Sequence, residues 1–231
     1  MLQLERQQDL MRLLREHKSM TVKELCGALF ASPATVRRDL QVLEQAGLLT
    51  RSFGGAVLCE TFPDQQPFAV RSGAHVTEKK RVAAKAALLI HPGETVFLDA
   101  SSTTSYIVPH LRDIPDLTVI TNGPRTCLLL AEYGIRSFCT GGEMLEGSHA
   151  LVGRDAEVYV RGIRAHVCVF SARGVETDGD ITDSSKAERD LKIAMLERAA
   201  RSVLVHDSSK LGRCYPYVIC PYTAPDNIVG E

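Results

Sequence analysis

The sequence predicts an α/β protein in two parts: a small N-terminal unit of three helices and a hairpin, then a larger α/β unit with a mainly parallel sheet. Three observations lead to this fold class. Residues 4–47 carry three successive helical patterns, each with one apolar face. A hairpin pattern around a Gly-Gly pair follows them. From Thr77 onward, short β-branched runs alternate with helical segments, which is typical of buried parallel strands covered by helices on both faces.

The composition is that of an ordinary globular protein, with 45% apolar residues, 24% charged residues and a formal net charge of -1. Because the whole chain is not basic, any contact with nucleic acid must come from a local patch. No apolar run could span a bilayer and "MLQLERQQDL" is not a signal peptide, so we expect a cytoplasmic protein without a membrane partner. The seven cysteines lack C-x-x-C spacing and the histidines lack metal-ligand spacing. We therefore expect buried reduced thiols, no metal and no cofactor.

The first two helices form the predicted core of the N-terminal unit. The first runs from about Leu4 to His17, with leucines and a methionine on its apolar side. The second opens with "TVKE", in which Thr21 can cap the helix while Glu24 reaches back as a capping box. Its apolar stripe consists of Val22, Leu25, Cys26 and Leu29.

The third helix, "SPATVRRDLQVLEQAG", is the candidate for contact with DNA. Ser32 is a favourable N-cap, Pro33 suits the first helical position and Gly47 is a natural stop. Only "FAS" separates this helix from the second, so the pair forms a helix-turn-helix whose second helix enters the major groove by its N-terminal end. Its polar face carries Thr35, Arg37, Arg38 and Gln41. Adjacent arginines are usually a solvated face, but here they lie where guanidinium groups can contact base edges or phosphates.

A small hairpin follows in "LLTRSFGGAVL". Residues 48–51 and 56–58 predict two short strands around a Gly-Gly turn, and such a hairpin beside a helix-turn-helix is a wing. Arg51, Gly54 and Gly55 would let the wing approach a phosphate backbone. The sequence therefore predicts a winged helix-turn-helix unit that binds double-stranded DNA.

The chain then divides into further segments. The DNA-binding unit is predicted over residues 1–58 and a linker over residues 59–74, where there are two prolines and little periodicity. Residues 75–231 form the second domain. Its strand patterns are "ETVFLDA", "LTVITN", "IRSFCTGG", "AHVCVFSA" and "SVLVHD", and its helical patterns lie near residues 77–90, 102–111, 124–132, 153–162 and 185–201. Ligands of such sheets bind outside the carboxyl ends of the strands.

Polar residues collect where these predicted strands end. Asp99 follows one strand and precedes a run of small hydroxyl residues, Ser101, Ser102, Thr103 and Thr104. Their hydroxyls and backbone N–H groups can cradle a phosphate, although such a run can also be an ordinary helix-capping turn. Other strand ends carry Asn122, Gly141, Gly142, Arg173 and Lys210. Because several polar ends converge on one edge, we predict a small-molecule site there.

The stretch "TVKELCGALFASPATVRRDLQVLEQAGLLTRSFGGAVL" resembles the DNA-binding segment of DeoR-type bacterial transcription regulators, and the "TVRRDL…L…G" core and the Gly-Gly wing carry the likeness. The resemblance continues through "EKKRVAAKAA", "DASSTT", "TVITN", "GG", "LVG", "SARGV", "ERDLKIAM" and "DSSKLG", in that order, over nearly the whole chain. It implies a sensor domain similar to sugar-phosphate isomerases that binds a phosphorylated sugar or a related metabolite.

By position, the resemblance implies effector contacts from Lys80, Asp99, Ser101, Ser102, Thr103, Thr104, Asn122, Glu188, Lys192 and Lys210. Glu188 and Lys192 can equally form an ordinary i, i+4 ion pair on a helix. Arg173 stands where the family commonly has an aspartate, so either the effector carries more negative charge or the site has lost its usual ligand. The chain stops at "APDNIVGE", where the family continues, so we expect an edge element to be missing.

The resulting hypothesis is a repressor of carbohydrate-metabolism genes that binds operator DNA as a homo-oligomer, a dimer or tetramer, and responds to a phosphorylated sugar. This coupling requires the effector to bind two conformations with different affinity. Two alternatives stay open: a sugar-phosphate isomerase with Asp99 or Glu188 as base, and a regulator that has lost its effector response. Because an enzyme needs no helix-turn-helix, and because Arg173 replaces an acid, we predict that the chain is not an enzyme.

Overall fold

The computed structural model describes residues 3–17, 19–45, 49–52, 54–58 and 67–231. The chain divides into two compact units, Met1–Val70 and Arg71–Glu231. Gly47, which the sequence predicts as a helix stop, and residues 59–66 of the predicted linker lie outside the described residues. None of the described helices is long and apolar enough to cross a membrane.

The N-terminal unit contains the three predicted helices. Its elements are α1 (Gln3–His17), β1 (Ser19–Thr21), α2 (Val22–Leu29), α3 (Pro33–Gln45), β2 (Leu49–Ser52) and β3 (Gly55–Leu58). The helices bury one apolar cluster that includes Leu14, Leu25 and Leu40. The capping box is confirmed, since the Thr21 hydroxyl accepts from the Glu24 N–H at 3.2 Å and the Glu24 carboxylate accepts from the Thr21 N–H at 2.7 Å.

The hairpin is part of a three-stranded antiparallel sheet with the order β1-β3-β2. The sequence gives no sign of β1, because "SMT" is too short to show an alternating pattern. Gly55 pairs with Thr21 in this sheet, and a Cβ at Gly55 would collide with the carbonyl oxygen of Met20. The glycine is therefore required by close approach of two strands, which differs from the DNA-approaching role that the sequence predicts.

A short helix, α4 (Phe68–Gly73), lies inside the stretch that the sequence predicts to be a linker. It spans the boundary between the two units. The side chain of Phe68, its first residue, is buried.

The larger unit alternates helices and strands. They are α5 (Val76–Ala87), β4 (Thr95–Leu98), α6 (Val108–Leu111), β5 (Thr118–Thr121), α7 (Pro124–Glu132), β6 (Arg136–Cys139), β7 (Glu143–Met144), β8 (Leu151–Val152), α8 (Arg154–Arg161), β9 (Ala165–Phe170), β10 (Gly174–Val175), β11 (Asp180–Asp183), α9 (Lys186–Glu197), β12 (Ala199–His206), β13 (Tyr217–Pro221) and β14 (Asn227–Gly230). Two 3₁₀ helices, Thr104–Ile107 and Ser208–Lys210, follow β4 and β12.

The main sheet has six strands in the order β14-β12-β9-β4-β5-β6, and every neighbouring pair is parallel. Successive residues of each strand face opposite sides, so Val96 and Leu98 pack in one apolar cluster with α5, while Phe97 packs in another with α8 and α9. Both faces of the sheet are thus buried, and the predicted α/β fold with a parallel sheet is confirmed.

The structure also contains strands that the sequence patterns do not show. β10, β11 and β13 form a small antiparallel sheet, and β7 pairs with β8. Residues of "APDNIVGE" supply β14, which pairs with β12 from Asn227 to Gly230 at one edge of the main sheet. The expectation that a further edge element is missing stays a prediction.

Candidate functional site

The corner between α2 and α3 is built by local hydrogen bonds. Phe30 takes a left-handed conformation with a φ of 49°, and its N–H donates to the carbonyl of Cys26, which ends α2. The hydroxyl of Ser32 accepts from the Thr35 N–H at 3.2 Å and lies 2.9 Å from the Thr35 hydroxyl, which caps α3. Three residues therefore suffice for the turn of a helix-turn-helix.

The two faces of α3 differ as the spacing predicts. Val36 and Leu40 are fully buried against the other helices. Arg37, Arg38 and Gln41 are exposed, while Thr35 is half-buried beside the cap. The exposed face presents two guanidinium groups and one amide within two turns of the helix start.

A buried carboxylate fixes α3 against α1. Asp39 is 1% exposed and accepts three hydrogen bonds: from Arg6 Nε at 2.5 Å, from a second Arg6 nitrogen at 3.3 Å and from Gln7 Nε2 at 3.2 Å. The bond from Arg6 to this carboxylate raises the pKa of the Arg6 guanidinium. Sequence reasoning missed this link, because its partners are 32 and 33 positions apart. It joins α1 to the helix that carries Arg37 and Arg38.

The wing arginine has an acidic partner. Arg51 Nε donates to Glu44 Oε2 at 2.6 Å and the Arg51 N–H donates to Glu44 Oε1 at 2.9 Å. These bonds lower the pKa of the Glu44 carboxyl. The charge of Arg51 is thus partly compensated by Glu44, and its contact with a DNA phosphate stays a prediction. Gly54 is exposed with a φ of 86°, a conformation that favours glycine at the hairpin turn.

The carboxyl ends of the main strands enclose one cavity in the unit Arg71–Glu231, with about 440 Å³ of space open to solvent at its mouth. Nine of the residues that the sequence predicts as effector contacts line it: Asp99, Ser101, Ser102, Thr103, Asn122, Arg173, Glu188, Lys192 and Lys210. Arg71 and Ser171 line it as well, although the sequence reasoning did not select them. Arg71 was missed because "FAVRSG" falls in the predicted linker.

Four predicted residues do not line the cavity. Lys80 is exposed on α5, and its buried neighbour Lys79 donates instead to the carbonyls of Arg71 and Ala74. Thr104 is fully buried, and its hydroxyl donates to the carboxylate of Asp99. Gly141 and Gly142 both have positive φ and are exposed; a Cβ at Gly142 would lie 2.5 Å from the Val152 carbonyl oxygen. Gly142 thus allows the chain before β7 to approach β8, and neither glycine lines the cavity.

Asp99 organises the loop that follows β4. One of its carboxylate oxygens accepts from the Ser101 N–H at 3.2 Å and from the Thr104 hydroxyl at 2.9 Å. The other accepts from the Ser171 N–H at 3.2 Å and lies 3.5 Å from Lys192 Nζ. This carboxylate is 1% exposed and holds the ends of β4 and β9 together. Such an acceptor, engaged on both oxygens, is poorly suited to removing a proton from a substrate.

Lys192 is held by buried acids. Its Nζ donates to Asp183 Oδ2 at 2.5 Å, and Asp183 also accepts from the Ser184 N–H at 2.8 Å. Burial acts to lower the pKa of Lys192, but Asp183, Asp99 and Glu188 together outweigh it and raise that pKa. Among the described residues, the ion pairs of Lys192 are therefore with Asp183 and Asp99, not the surface pair with Glu188 that the spacing allowed.

Three further cations border the same cavity. Arg71 and Arg173 are 9% and 8% exposed, and Lys210 is half-buried. Burial, reinforced by the charge of Arg173, lowers the pKa of Arg71 to about 10. Burial also lowers the pKa of Lys210 to about 8, with Asp207 opposing this and the other cations adding to it. Both shifts are due mainly to burial; neighbouring cations add to them, and Glu188, Asp183 and Asp99 oppose the shift of Arg71.

Two polar atoms of the cavity wall lack a protein partner. Asn122 Nδ2 donates to the Leu151 carbonyl at 3.0 Å, but Asn122 Oδ1 has no hydrogen-bond partner among the described residues. The same holds for the Ser171 hydroxyl, and both residues are at most 5% exposed. A buried polar atom without a partner costs about 1–3 kcal/mol, so a ligand with hydroxyl groups would be stabilised by both.

One group outside the cavity has the spacing of a cation site. His75 Nδ1, a Glu78 carboxylate oxygen and an Asp207 carboxylate oxygen lie within 4.8 Å of one another. Glu78 already accepts from the Ser208 N–H at 2.9 Å, and Lys79 Nζ lies 3.9 Å from Asp207. The neighbouring ammonium opposes a bound cation, so these residues do not change the expectation of a site without metal.

Comparisons with known proteins match both units. The DeoR C terminal sensor domain family matches residues 74–231, and the DeoR-like helix-turn-helix domain family matches residues 6–62. An uncharacterized HTH-type transcriptional regulator, YulB of Bacillus subtilis (strain 168), is 35% identical over 213 residues, covering 92% of this chain and 82% of the relative.

Two further relatives have named regulatory roles. The transcriptional repressor AccR of Agrobacterium fabrum is 33% identical over 208 residues, which cover 89% of this chain and 81% of the relative. The L-fucose operon activator of Escherichia coli (strain K12) is 32% identical over 211 residues, which cover 90% of this chain and 86% of the relative. Among solved structures, ribose 5-phosphate isomerase from Plasmodium falciparum has a TM-score of 0.43 and 15% identity, with 59% of this chain and 52% of that chain covered.

Proposed function

Since this chain belongs to the DeoR family of transcriptional regulators, we propose that it represses carbohydrate-metabolism genes and leaves its operator when a phosphorylated sugar binds its cavity. The observation that carries the proposal is the cavity itself. It lies at the carboxyl ends of a parallel sheet and is lined by four cations, and it holds one buried acceptor and one buried hydroxyl without a partner among the described residues. A chain that binds operator DNA acts in the cytoplasm.

The exposed face of α3 supports the DNA contact. Arg37, Arg38 and Gln41 are free of the packing that buries Val36 and Leu40. Arginine pairs with guanine edges and glutamine with adenine edges in the major groove, and both also bind phosphates. Consecutive helix positions point about 100° apart, so one arginine reads a base while the other holds a phosphate. Ser32 and Thr35 at the helix start and Gly54 at the wing turn lie closest to the backbone in this arrangement.

The cavity chemistry supports an effector that is both anionic and rich in hydroxyls. The loop Ser101–Thr103 offers hydroxyls and backbone N–H groups for a phosphate. Asn122 Oδ1 accepts from a sugar hydroxyl, and the Ser171 hydroxyl pairs with another. Glu188 lines the cavity at the start of α9 and accepts from a further hydroxyl.

Control of DNA binding requires that the effector distinguish two arrangements of the protein. We infer a homo-oligomer, a dimer or tetramer, because paired half-sites greatly increase specificity. Relatives of similar identity include a repressor and an operon activator, so the sign of control is measured directly in the transcript comparison below. We infer no enzymatic activity, because both oxygens of Asp99 are already engaged.

Two measurements test this function. A thermal-shift screen against phosphorylated sugars should find a ligand that stabilises the protein, by about 2.7 kcal/mol at 100 times its Kd. Transcripts of a strain lacking the gene, compared with a complemented strain, should show a carbohydrate operon whose expression rises. A fall would identify an activator, and an unchanged transcriptome would contradict a regulator.

A further inference from the structure

The loop that lines the cavity continues directly into a short helix. The loop Ser101–Thr103 lines the cavity, and the 3₁₀ helix Thr104–Ile107 begins at the next residue. In this helix, the Tyr106 N–H donates to the Thr103 carbonyl at 3.2 Å, and the Ser105 hydroxyl donates to the carbonyl of the middle residue of the loop at 2.9 Å. A ligand that shifts the loop therefore also shifts Tyr106.

The side chain of Tyr106 reaches the chain at the boundary of the two units. Its hydroxyl donates to the Ser72 carbonyl at 2.6 Å, across 34 positions of sequence, and its ring packs against the apolar cluster on the α5 side of the main sheet. Ser72 lies in α4, which begins at Phe68 in the N-terminal unit and ends at Gly73 in the larger unit. One phenol thus joins the cavity loop to the helix that crosses this boundary.

A second side chain holds the same stretch of backbone to α5. Lys79 of α5 is buried, and its ammonium group donates to the carbonyls of Arg71 and Ala74. The segment Arg71–Ala74 therefore has two anchors, Lys79 on a helix packed against the sheet and Tyr106 beside the cavity loop. Of these two anchors, the one at Tyr106 follows the loop directly and so responds to a ligand bound there.

We propose that Tyr106 transmits effector binding from the loop Ser101–Thr103 to the segment Arg71–Ala74, and thereby to the helix that leads to the DNA-binding unit. This inference rests on the proposed function and names a residue that controls it. Tyr106 is a positioning residue, since it acts through the Ser72 carbonyl and does not line the cavity.

The hydrogen bond transmits because it forms only when the loop and Ser72 take matching positions. Effector and DNA influence each other only as far as they favour different arrangements of the protein. Without the hydroxyl, mismatched positions of the loop and the segment no longer lose a hydrogen bond, so the two move more independently. The bond therefore adds to the coupling between the two sites while adding little to the affinity of either site alone.

The test measures coupling in wild-type protein and in Tyr106→Phe, which removes only the hydroxyl. The DNA is the operator fragment found by the transcript comparison, and the probes are ribose 5-phosphate, glucose 6-phosphate, fructose 6-phosphate and fructose 1-phosphate. Fluorescence anisotropy gives the factor by which the most effective probe changes the Kd for DNA, typically about 5- to 150-fold in coupled systems. In Tyr106→Phe this factor should be about 2- to 10-fold smaller, which is the contribution of a single hydrogen bond.

Two further measurements separate transmission from a merely structural role. By calorimetry and anisotropy, Tyr106→Phe should keep the wild-type Kd for the probe without DNA and for DNA without the probe. Amide exchange in the segment Arg71–Ala74 should change when the probe is added to wild-type protein and change less in the variant. Tyr133→Phe is the matched control, because its ring packs against the same apolar cluster, and it should keep the full coupling factor.

Three results would overturn the inference. A full coupling factor in Tyr106→Phe would refute transmission through the hydroxyl, while the proposed function would stand. Weaker binding of the probe to Tyr106→Phe in the absence of DNA would place Tyr106 in the binding site and not between the sites. A wild-type affinity for DNA that none of the four probes changes would count against the phosphorylated-sugar effector itself, and the inference would fall with it.

Discussion

Replacing Lys192 with methionine should strongly destabilise the unit Arg71–Glu231. The substitution removes the ammonium group from between Asp183 and Asp99, which are 0% and 1% exposed and lie 2.5 Å and 3.5 Å from Lys192 Nζ. Breaking a buried ion pair from one side costs about 3–5 kcal/mol. Both carboxylates keep backbone N–H donors, so we expect the lower end of this range, about 3 kcal/mol.

The assay is urea unfolding followed by circular dichroism, since the chain has no tryptophan. In a matching thermal unfolding experiment, a loss of about 3 kcal/mol corresponds to a Tm lower by roughly 6–12 °C for a unit of this size. Lys80→Met, on the exposed side of α5, should change stability by less than about 0.5 kcal/mol. A loss below about 1 kcal/mol in Lys192→Met, the size expected of a surface pair, would refute the reasoning.

The difference in the free energy of unfolding between wild-type protein and Lys192→Met should also depend on pH. Burial acts to raise the pKa of Asp183, but Lys192 outweighs it, so that pKa is lowered in the native protein. A carboxyl group whose pKa is lowered by folding stabilises the native protein above its pKa in the unfolded chain, about 3.9. This contribution is lost as the pH falls through the pKa of the folded state. Without the ammonium, burial raises the same pKa, so Asp183 destabilises at neutral pH and less at acidic pH. The difference in the free energy of unfolding between wild-type protein and Lys192→Met should therefore decrease as the pH falls.

Three further predictions address ligand and DNA binding. Thr103→Glu places a carboxylate in the phosphate loop and should abolish the effector response with DNA affinity unchanged; a normal response would remove the loop from the site. Lys210, whose pKa is lowered to about 8 chiefly by burial, loses its proton as the pH rises through 8. Because a bound anion favours the ammonium form, effector binding at pH 8 should take up a fraction of a proton, detected as a dependence of the calorimetric enthalpy on the buffer, and Lys210→Met should lose this uptake at the same pH. Glu44→Gln should release Arg51 and steepen the salt dependence of DNA binding by about one unit of slope, whereas an unchanged slope would mean that Arg51 does not reach phosphate.

Local patterns were sufficient for most of the fold. The capping box at Thr21, the apolar stripes of the helices and the β-branched runs of the central strands are all encoded within ten or so neighbouring residues. Strands such as β1, β7 and β10 have two or three residues, too few for an alternating pattern. β14 was missed because its environment depends on pairing with β12, which is distant in sequence.

Part of the candidate site was predictable because some of its residues follow directly after predicted strands. Asp99 and the loop Ser101–Thr103 follow a strand directly, so their place at the sheet edge follows from topology. Arg71 could not be found this way, since it lies in α4, within the stretch predicted as a linker, and only the folded chain brings it beside Arg173. Neither Lys80 nor Lys79 lines the cavity: the two are one helical position apart, about 100° of rotation, which leaves Lys80 exposed and Lys79 buried.

The claim that α3 binds DNA is tested most directly by titrating operator and scrambled DNA with wild-type protein, Arg37→Ala and Arg38→Ala at several salt concentrations. The operator is the fragment upstream of the regulated genes identified in the transcript comparison. We predict that one variant loses about 1–3 kcal/mol on the operator only and relaxes the preference at one base pair, as expected for a contact to guanine. The other should lose affinity equally on both DNAs, with a salt slope smaller by about one, as expected for a phosphate contact. Wild-type affinity and wild-type salt slope in both variants would contradict the assignment of α3 as the recognition helix.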